Sequence, residues 1–124
     1  MSVTLFGRRH DAPFGIAPMG LAALSAYRGD LVLAQAAARE NIPMVMSGSS
    51  LTRLEDVLRV NRDAWFQAYL PGEDAGIVPL LQRVQPPGSR PPAVTVDTPV
   101  PGTRDNNARA PFPLPLPPPP PPPP

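Results

Sequence analysis

Gln67 and Tyr69 stand two residues apart in the stretch Ala64–Pro71, AWFQAYLP. On an extended chain, residues two apart leave on the same face. A carboxamide and a phenol are strong hydrogen-bonding groups, and when buried they require partners. Other segments place polar groups just after an apolar run. Ser47 ends PMVMS and is followed by Gly48; Thr95 and Asp97 close AVTVD; Arg104 lies in the next loop, beyond Gly102. The run FGIAP leads into Pro18, Met19 and Gly20. A serine, a glutamine and a threonine brought together would satisfy a flat polar heterocycle. An arginine in the adjoining loop could hold a carboxylate by paired hydrogen bonds.

These groups converge only if the apolar runs are neighbouring strands with a common direction. The sequence predicts strands over Phe14–Pro18, Pro43–Ser47, Trp65–Leu70 and Ala93–Asp97, with Trp65, Phe66, Ala68 and Leu70 filling a core. Between them lie helical patterns. Gly29–Ala38 has Asp30 placed to cap and an inner face of Leu31, Leu33, Ala34, Ala37 and Ala38, with Asn41 as its stop. Thr52-Arg53-Leu54-Glu55 fits a capping box opening a helix through Leu58. Asp74 starts a third helix through Val84, weakened by Gly76 and Pro79. The alternation predicts an α/β fold with a parallel sheet and crossover helices. Apolar runs with little alternation fit strands covered on both faces. In such folds the carboxyl ends of the strands form one rim, where ligands bind. About four βα units make part of an open sheet or half of a closed (β/α)₈ barrel, which takes roughly 250 residues.

The 124 residues suffice for one small domain, and the net charge of +1 gives no strong attraction to nucleic acid or an anionic membrane. The absence of cysteine excludes disulfides and thiolate chemistry. No apolar run reaches the ~20 residues of a membrane span, and the N-terminus lacks a signal-peptide core. A cytoplasmic location is expected. All eleven basic residues are arginine, and His10 is the single histidine. A mechanism that needs a lysine, or a histidine after the first strand, is not completed by these residues alone. His10 is expected to be an exposed or turn histidine. Arg8, Arg9, Arg28, Arg39 and Arg53 read as solvated surface, and Met19, Met44 and Met46 as packing. Eleven of the 22 prolines lie in Pro111–Pro124, a segment expected to be a polyproline II rod or a disordered extension.

The segments FGIAPMG, MSG, FQAYLP and TVDTPVPGTR resemble the FMN-dependent 2-hydroxy-acid oxidoreductases, the family of glycolate oxidase, L-lactate oxidase and the flavin-dependent lactate and mandelate dehydrogenases. The likeness runs from about Leu5 to Arg109. It implies a partial (β/α)₈ TIM barrel over residues 1–110, followed by a proline-rich tail over 111–124. It also implies FMN as cofactor and a small 2-hydroxy acid as substrate. By this resemblance Pro18, Met19 and Gly20 lie against the flavin. Ser47, Gln67 and Thr95 hydrogen-bond the isoalloxazine ring. Tyr69 bonds the substrate's hydroxyl or keto oxygen, Asp97 orients the catalytic histidine, and Arg104 lies close to the substrate carboxylate.

The same resemblance implies pieces with no counterpart here: a helical N-terminal segment with a substrate-contacting tyrosine, and the histidine, arginine and lysine of later strands. The expectation is a fragment, inactive alone, whose exposed barrel edges favour self-association. The alternatives are a non-catalytic interaction fragment recruiting a partner through the proline tail, one half of a split barrel, and a degraded gene product. Outside the family reading, Asp97 is a turn or N-cap carboxylate, Gln67 and Tyr69 cap a strand end, and Arg104 is solvated.

Overall fold

The computed structural model describes residues 1–70, 74–84 and 91–96. Asp97, Arg104 and the segment Pro111–Pro124 lie outside the described residues.

The chain opens with an antiparallel hairpin of β1 (Val3–Leu5) and β2 (Arg8–His10), pairing Val3 with His10 and Leu5 with Arg8. Phe6 and Gly7 form its turn with φ of 47° and 77°. Two left-handed residues in succession match the right-handed twist of a tight hairpin. The expected strand Phe14–Pro18 reduces to one parallel bridge, Ile16 with Met44. A short helix α1 (Ala22–Ser25) precedes α2 (Gly29–Arg39).

Helix α2 ends as its sequence predicts. Asn41 adopts φ of 47°. The Asn41 N–H donates to the Ala38 carbonyl and the Ile42 N–H to that of Ala37, at 3.3 and 3.0 Å. This is a Schellman closure with asparagine in the left-handed position, and it turns the chain directly into β3 (Val45–Met46). Leu31, Ala34 and Ala37 are buried and Leu33 partly so, but Ala38 is exposed. Asp30 does not cap α2. Arg28 is the N-cap residue and Asp30 sits inside the first turn, buried.

Helix α3 (Leu54–Val60) starts from Arg53 without a side-chain cap. The capping box at Thr52 and Glu55 is not formed, because both side chains have stronger partners. The Thr52 hydroxyl donates to Asp30, and Glu55 accepts a two-pronged bond from Arg83 at 3.0 and 3.3 Å. Strand β4 (Trp65–Ala68) ends before Tyr69, and Leu70 is exposed rather than in the core. Helix α4 (Asp74–Val84) runs over the predicted span with Pro79 inside it, and β5 (Ala93–Val94) follows.

Strands β3, β4 and β5 form a parallel sheet in that order, and the Ile16 bridge adds to it beside β3. Paired residues share a face, which sorts the sheet into two surfaces. Met44, Met46 and Phe66 meet Leu31, Ala34, Ala37, Leu54, Val57 and Val84 from the helices in one apolar core. Val45, Trp65, Gln67 and Ala93 lie on the opposite face. The result is a mixed α/β unit built on a parallel sheet with its helices on one side. Among the described residues no helix is long and apolar enough to cross a membrane.

The hairpin closes the amino ends of the strands. Phe6 meets Trp65 edge to face at 5.1 Å between centroids, Arg8 pairs with Asp63, and Asn41 Nδ2 donates to the Arg9 carbonyl. His10 is therefore buried, at 2% exposure, and not an exposed turn residue. Arg8 likewise is not freely solvated; its Nε is buried. Met44 and Met46 pack in the core as read, whereas Met19 is exposed.

Candidate functional site at the carboxyl ends of the strands

Ser47 follows β3, Gln67 lies within β4, and Thr95 follows β5. The parallel register, with Val45 opposite Trp65 and Gln67 opposite Ala93, brings all three to one end of one face. They form a continuous array. The Ser47 hydroxyl donates to Gln67 Oε1 at 3.3 Å, and Gln67 Nε2 donates to Thr95 Oγ1 at 2.8 Å. The Gly48 N–H also donates to Gln67 Oε1, at 3.1 Å, and the Ser49 N–H donates to Ser47 Oγ at 3.1 Å.

These bonds fix the carboxamide. Two donors converge on Oε1, so Nε2 must face the other way, toward Thr95. One Nε2 proton and the Thr95 hydroxyl proton are not used in the array. Ser47 and Gln67 are buried, so the amide is held rigidly against a floor that excludes water. The array therefore presents directed donors to a group resting on the sheet end.

Pro18, Met19 and Gly20 are exposed, and Gly20 borders the same place. A methyl group added at Gly20 would sit 3.4 Å from Ser49 Cβ and 3.9 Å from Ser47 Oγ, and the Leu21 N–H donates to the Ser49 carbonyl at 3.2 Å. Gly48 permits a closer approach than Gly20: a Cβ there would lie 2.6 Å from the Gln67 carbonyl oxygen and 3.5 Å from Tyr69 Cδ2. Tyr69 thus lies beside the rim with half its surface open. Gly20, Ser47, Gln67, Tyr69 and Thr95 are gathered at one rim, and Pro18 and Met19 precede Gly20 in the chain; Asp97 and Arg104 lie outside the described residues.

Three contributors were not predicted from sequence: Gly48, Ser49 and Asp30. Gly48 and Ser49 act through backbone N–H groups, for which the run Ser47–Ser50 (SGSS) was the available signal. Asp30 accepts from the Ser50 and Thr52 hydroxyls at 2.7 and 3.1 Å, tying α2 to the loop after β3. On the helix side of this loop, Arg83 holds the Glu55 carboxyl down to about 2, chiefly by its hydrogen bonds. Among the described residues no cluster of histidine and acidic side chains could hold a metal.

His10 lies at the other end of the sheet. Its hairpin adjoins Asn41 through Arg9 and Trp65 through Phe6, residues that precede or begin β3 and β4, while Ser47 and Gln67 stand at their carboxyl ends. No proton carried by His10 reaches a group seated on the array.

The chain matches the model of the FMN-dependent dehydrogenases over residues 1–121. It is 36% identical over 111 residues to an L-lactate dehydrogenase of Ectopseudomonas mendocina, covering 89% of this chain and 29% of that protein. It is 36% identical over 110 residues to the L-lactate dehydrogenase of Alcaligenes faecalis, covering 88% of this chain and 29% of that one. The fold superposes on a mandelate oxidase variant carrying 4-Br-2-hydroxy-methylphenylacetate with a TM-score of 0.84 at 30% identity, over 92% of this chain and 35% of the other. A mandelate oxidase with (S)-mandelic acid gives a TM-score of 0.83 at 30% identity, over 92% and 34%. The chain spans about a third of the length of these relatives, between 29% and 35%. In sequence and in fold, the chain belongs to the FMN-dependent dehydrogenase family.

Proposed function

We propose that this chain supplies the first βα units of a (β/α)₈ barrel and, with them, the wall against which FMN rests in an oxidoreductase of L-2-hydroxy acids. The observation that carries the reading is the Ser47–Gln67–Thr95 array, with its amide orientation fixed and two donor protons not used among the described residues. A planar heterocycle with carbonyl and ring-nitrogen acceptors fits that donor set. The glycines at 20 and 48 fit it as well, because they let their segments close up against Ser47, Ser49 and the backbone of Gln67 around the array.

In this reading Gln67, Ser47 and Thr95 hydrogen-bond the isoalloxazine ring, while the backbone of Pro18, Met19 and Gly20 lies against it. The chemistry that bound FMN would supply here is that of a hydride acceptor for the carbon bearing the substrate hydroxyl. Tyr69, open to the rim, donates to the substrate's oxygen. Asp97 and Arg104 are assigned by family likeness to orienting the base and holding the carboxylate. The base itself is not among the residues that line the array, and His10 is at the wrong end of the sheet.

The chain by itself therefore binds and orients but does not complete the oxidation. Anaerobic addition of L-lactate, glycolate or mandelate to the FMN-mixed chain should leave the flavin absorbance unchanged. Bleaching by any of them would contradict this assignment, because a proton acceptor within the chain would then be at work.

A further inference from the structure

Asp30 is the most deeply buried acid among the described residues whose role the fold alone does not explain. It is 2% exposed and stands at the second position of α2, following Gly29. Gly29 has no room for a side chain, since a Cβ would lie 2.7 Å from the Ala22 carbonyl oxygen. The start of α2 is thereby pinned on α1, and Asp30 with it.

From Asp30 a series of hydrogen bonds leads to the rim. One carboxylate oxygen, Oδ2, accepts from both the Ser50 and Thr52 hydroxyls. The Thr52 N–H donates to Ser50 Oγ at 2.9 Å, and the Ser50 N–H to the Ser47 carbonyl at 3.1 Å. The next bonds are those of Ser47 and Gly48 to Gln67 Oε1. A buried carboxylate needs such donors, and hydrogen bonds to a charged acceptor are the stronger kind. The six residues from Ser47 to Thr52 are therefore clamped at both ends, by Asp30 at one and Gln67 at the other.

We propose that Asp30 is a positioning residue for the Ser47–Gln67–Thr95 array, acting through Ser50 and Thr52 to set where the Gly48 N–H meets the Gln67 carboxamide. Its consequence for flavin binding rests on the function proposed above; its consequence for the Gln67 amide does not. A negative charge in the first turn also suits the helix dipole of α2. That role would be served by the charge alone and would leave the loop after β3 untouched.

The test is amide exchange followed by NMR on the whole chain, read at the Gly48 N–H and the Gln67 side-chain amide, with residues of α4 as a remote reference. Asp30→Ala should speed exchange at both groups by about tenfold, the scale of losing a hydrogen bond to a charged acceptor. Ser50→Ala combined with Thr52→Val should do the same with the charge retained. Asp30→Asn, which keeps an oxygen acceptor, should restore part of the protection. The proposal is overturned if the Ser50→Ala, Thr52→Val pair leaves both groups protected, or if exchange rises equally in α4 because the whole chain is loosened. FMN titration of the same samples separates the two readings. If the unaltered chain binds no FMN, the proposed function fails, while the exchange pattern still decides the role of Asp30.

Discussion

Gln67 Nε2 donates to Thr95 Oγ1 at 2.8 Å, joining two side chains that lie 28 positions apart in sequence and on adjacent parallel strands. The bond depends on register. Gln67 pairs with Ala93, so Thr95, the residue just after β5, falls one same-face position further along the chain, at the diagonal distance a long side chain spans. A slip by one residue would turn one of the two away.

Gln67→Leu keeps much of the volume and removes both ends of the amide. The Gly48 N–H and the Ser47 hydroxyl then lose their acceptor in a buried setting. The expected cost is about 1–3 kcal/mol, the range for leaving a buried polar group unpaired. A lowered urea midpoint with an unchanged m-value would show it.

Gly48→Ala should be damaging despite its size. The added methyl would lie 2.6 Å from the Gln67 carbonyl oxygen, a backbone atom within a strand that has little freedom to move. Overpacking of this kind costs about 1–3 kcal/mol. The same displacement carries the Gly48 N–H away from Gln67, so flavin binding should weaken along with stability. Thermal unfolding and FMN titration of the variant check both.

Asn41→Ala removes the residue best able to hold a left-handed φ of 47° at the end of α2. Placing alanine there should cost about 1–2 kcal/mol. Asn41→Gly should stay close to the parent, since glycine adopts this conformation freely. Parallel urea melts of the two variants distinguish a conformational effect from loss of the Asn41 side chain.

Glu55 gives a pH signature. Its carboxyl is lowered from 4.5 to about 2, first through the hydrogen bonds from Arg83. Its folded value is below its unfolded one, so the pair contributes stability fully above the unfolded value. That contribution fades as pH falls from about 4.5 through about 2. Both side chains are substantially open to solvent, so the effect is small and screened by salt. Glu55→Gln should flatten this part of the stability curve and leave the curve above pH 6 parallel to that of the parent.

Helices α2, α3 and α4 and the parallel strands were legible because their signals are local and repeated: apolar spacing in Leu31, Ala34 and Ala37, and compact apolar runs before Ser47 and Gln67; the four-residue α1 carried no such signal. The rim was legible because strand ends in a parallel fold converge whatever the details. The hairpin was not. Its strands are three residues each, the second of them basic, and its turn places Phe6, rather than asparagine, in a left-handed conformation. Phe6 is held there by its contact with Trp65, which no local pattern announces.

Asp30 and Thr52 were misread for one shared reason. Each matches a helix-capping pattern, and each was assigned to its own helix. Capping signals count only nearby backbone partners, whereas here the two side chains bond to each other across 22 positions. His10 was misplaced in the same way, since its burial depends on a hairpin that the sequence did not disclose.

The central claim is that the strand-end array recognises the flavin ring. It is tested most directly by titrating the purified chain with FMN and with riboflavin, following flavin fluorescence, beside the Gln67→Leu variant. Saturable binding of both flavins by the parent, and clearly weaker binding of both by the variant, is the expected result. Absence of saturable binding by the parent, or equal binding by parent and variant, would contradict it.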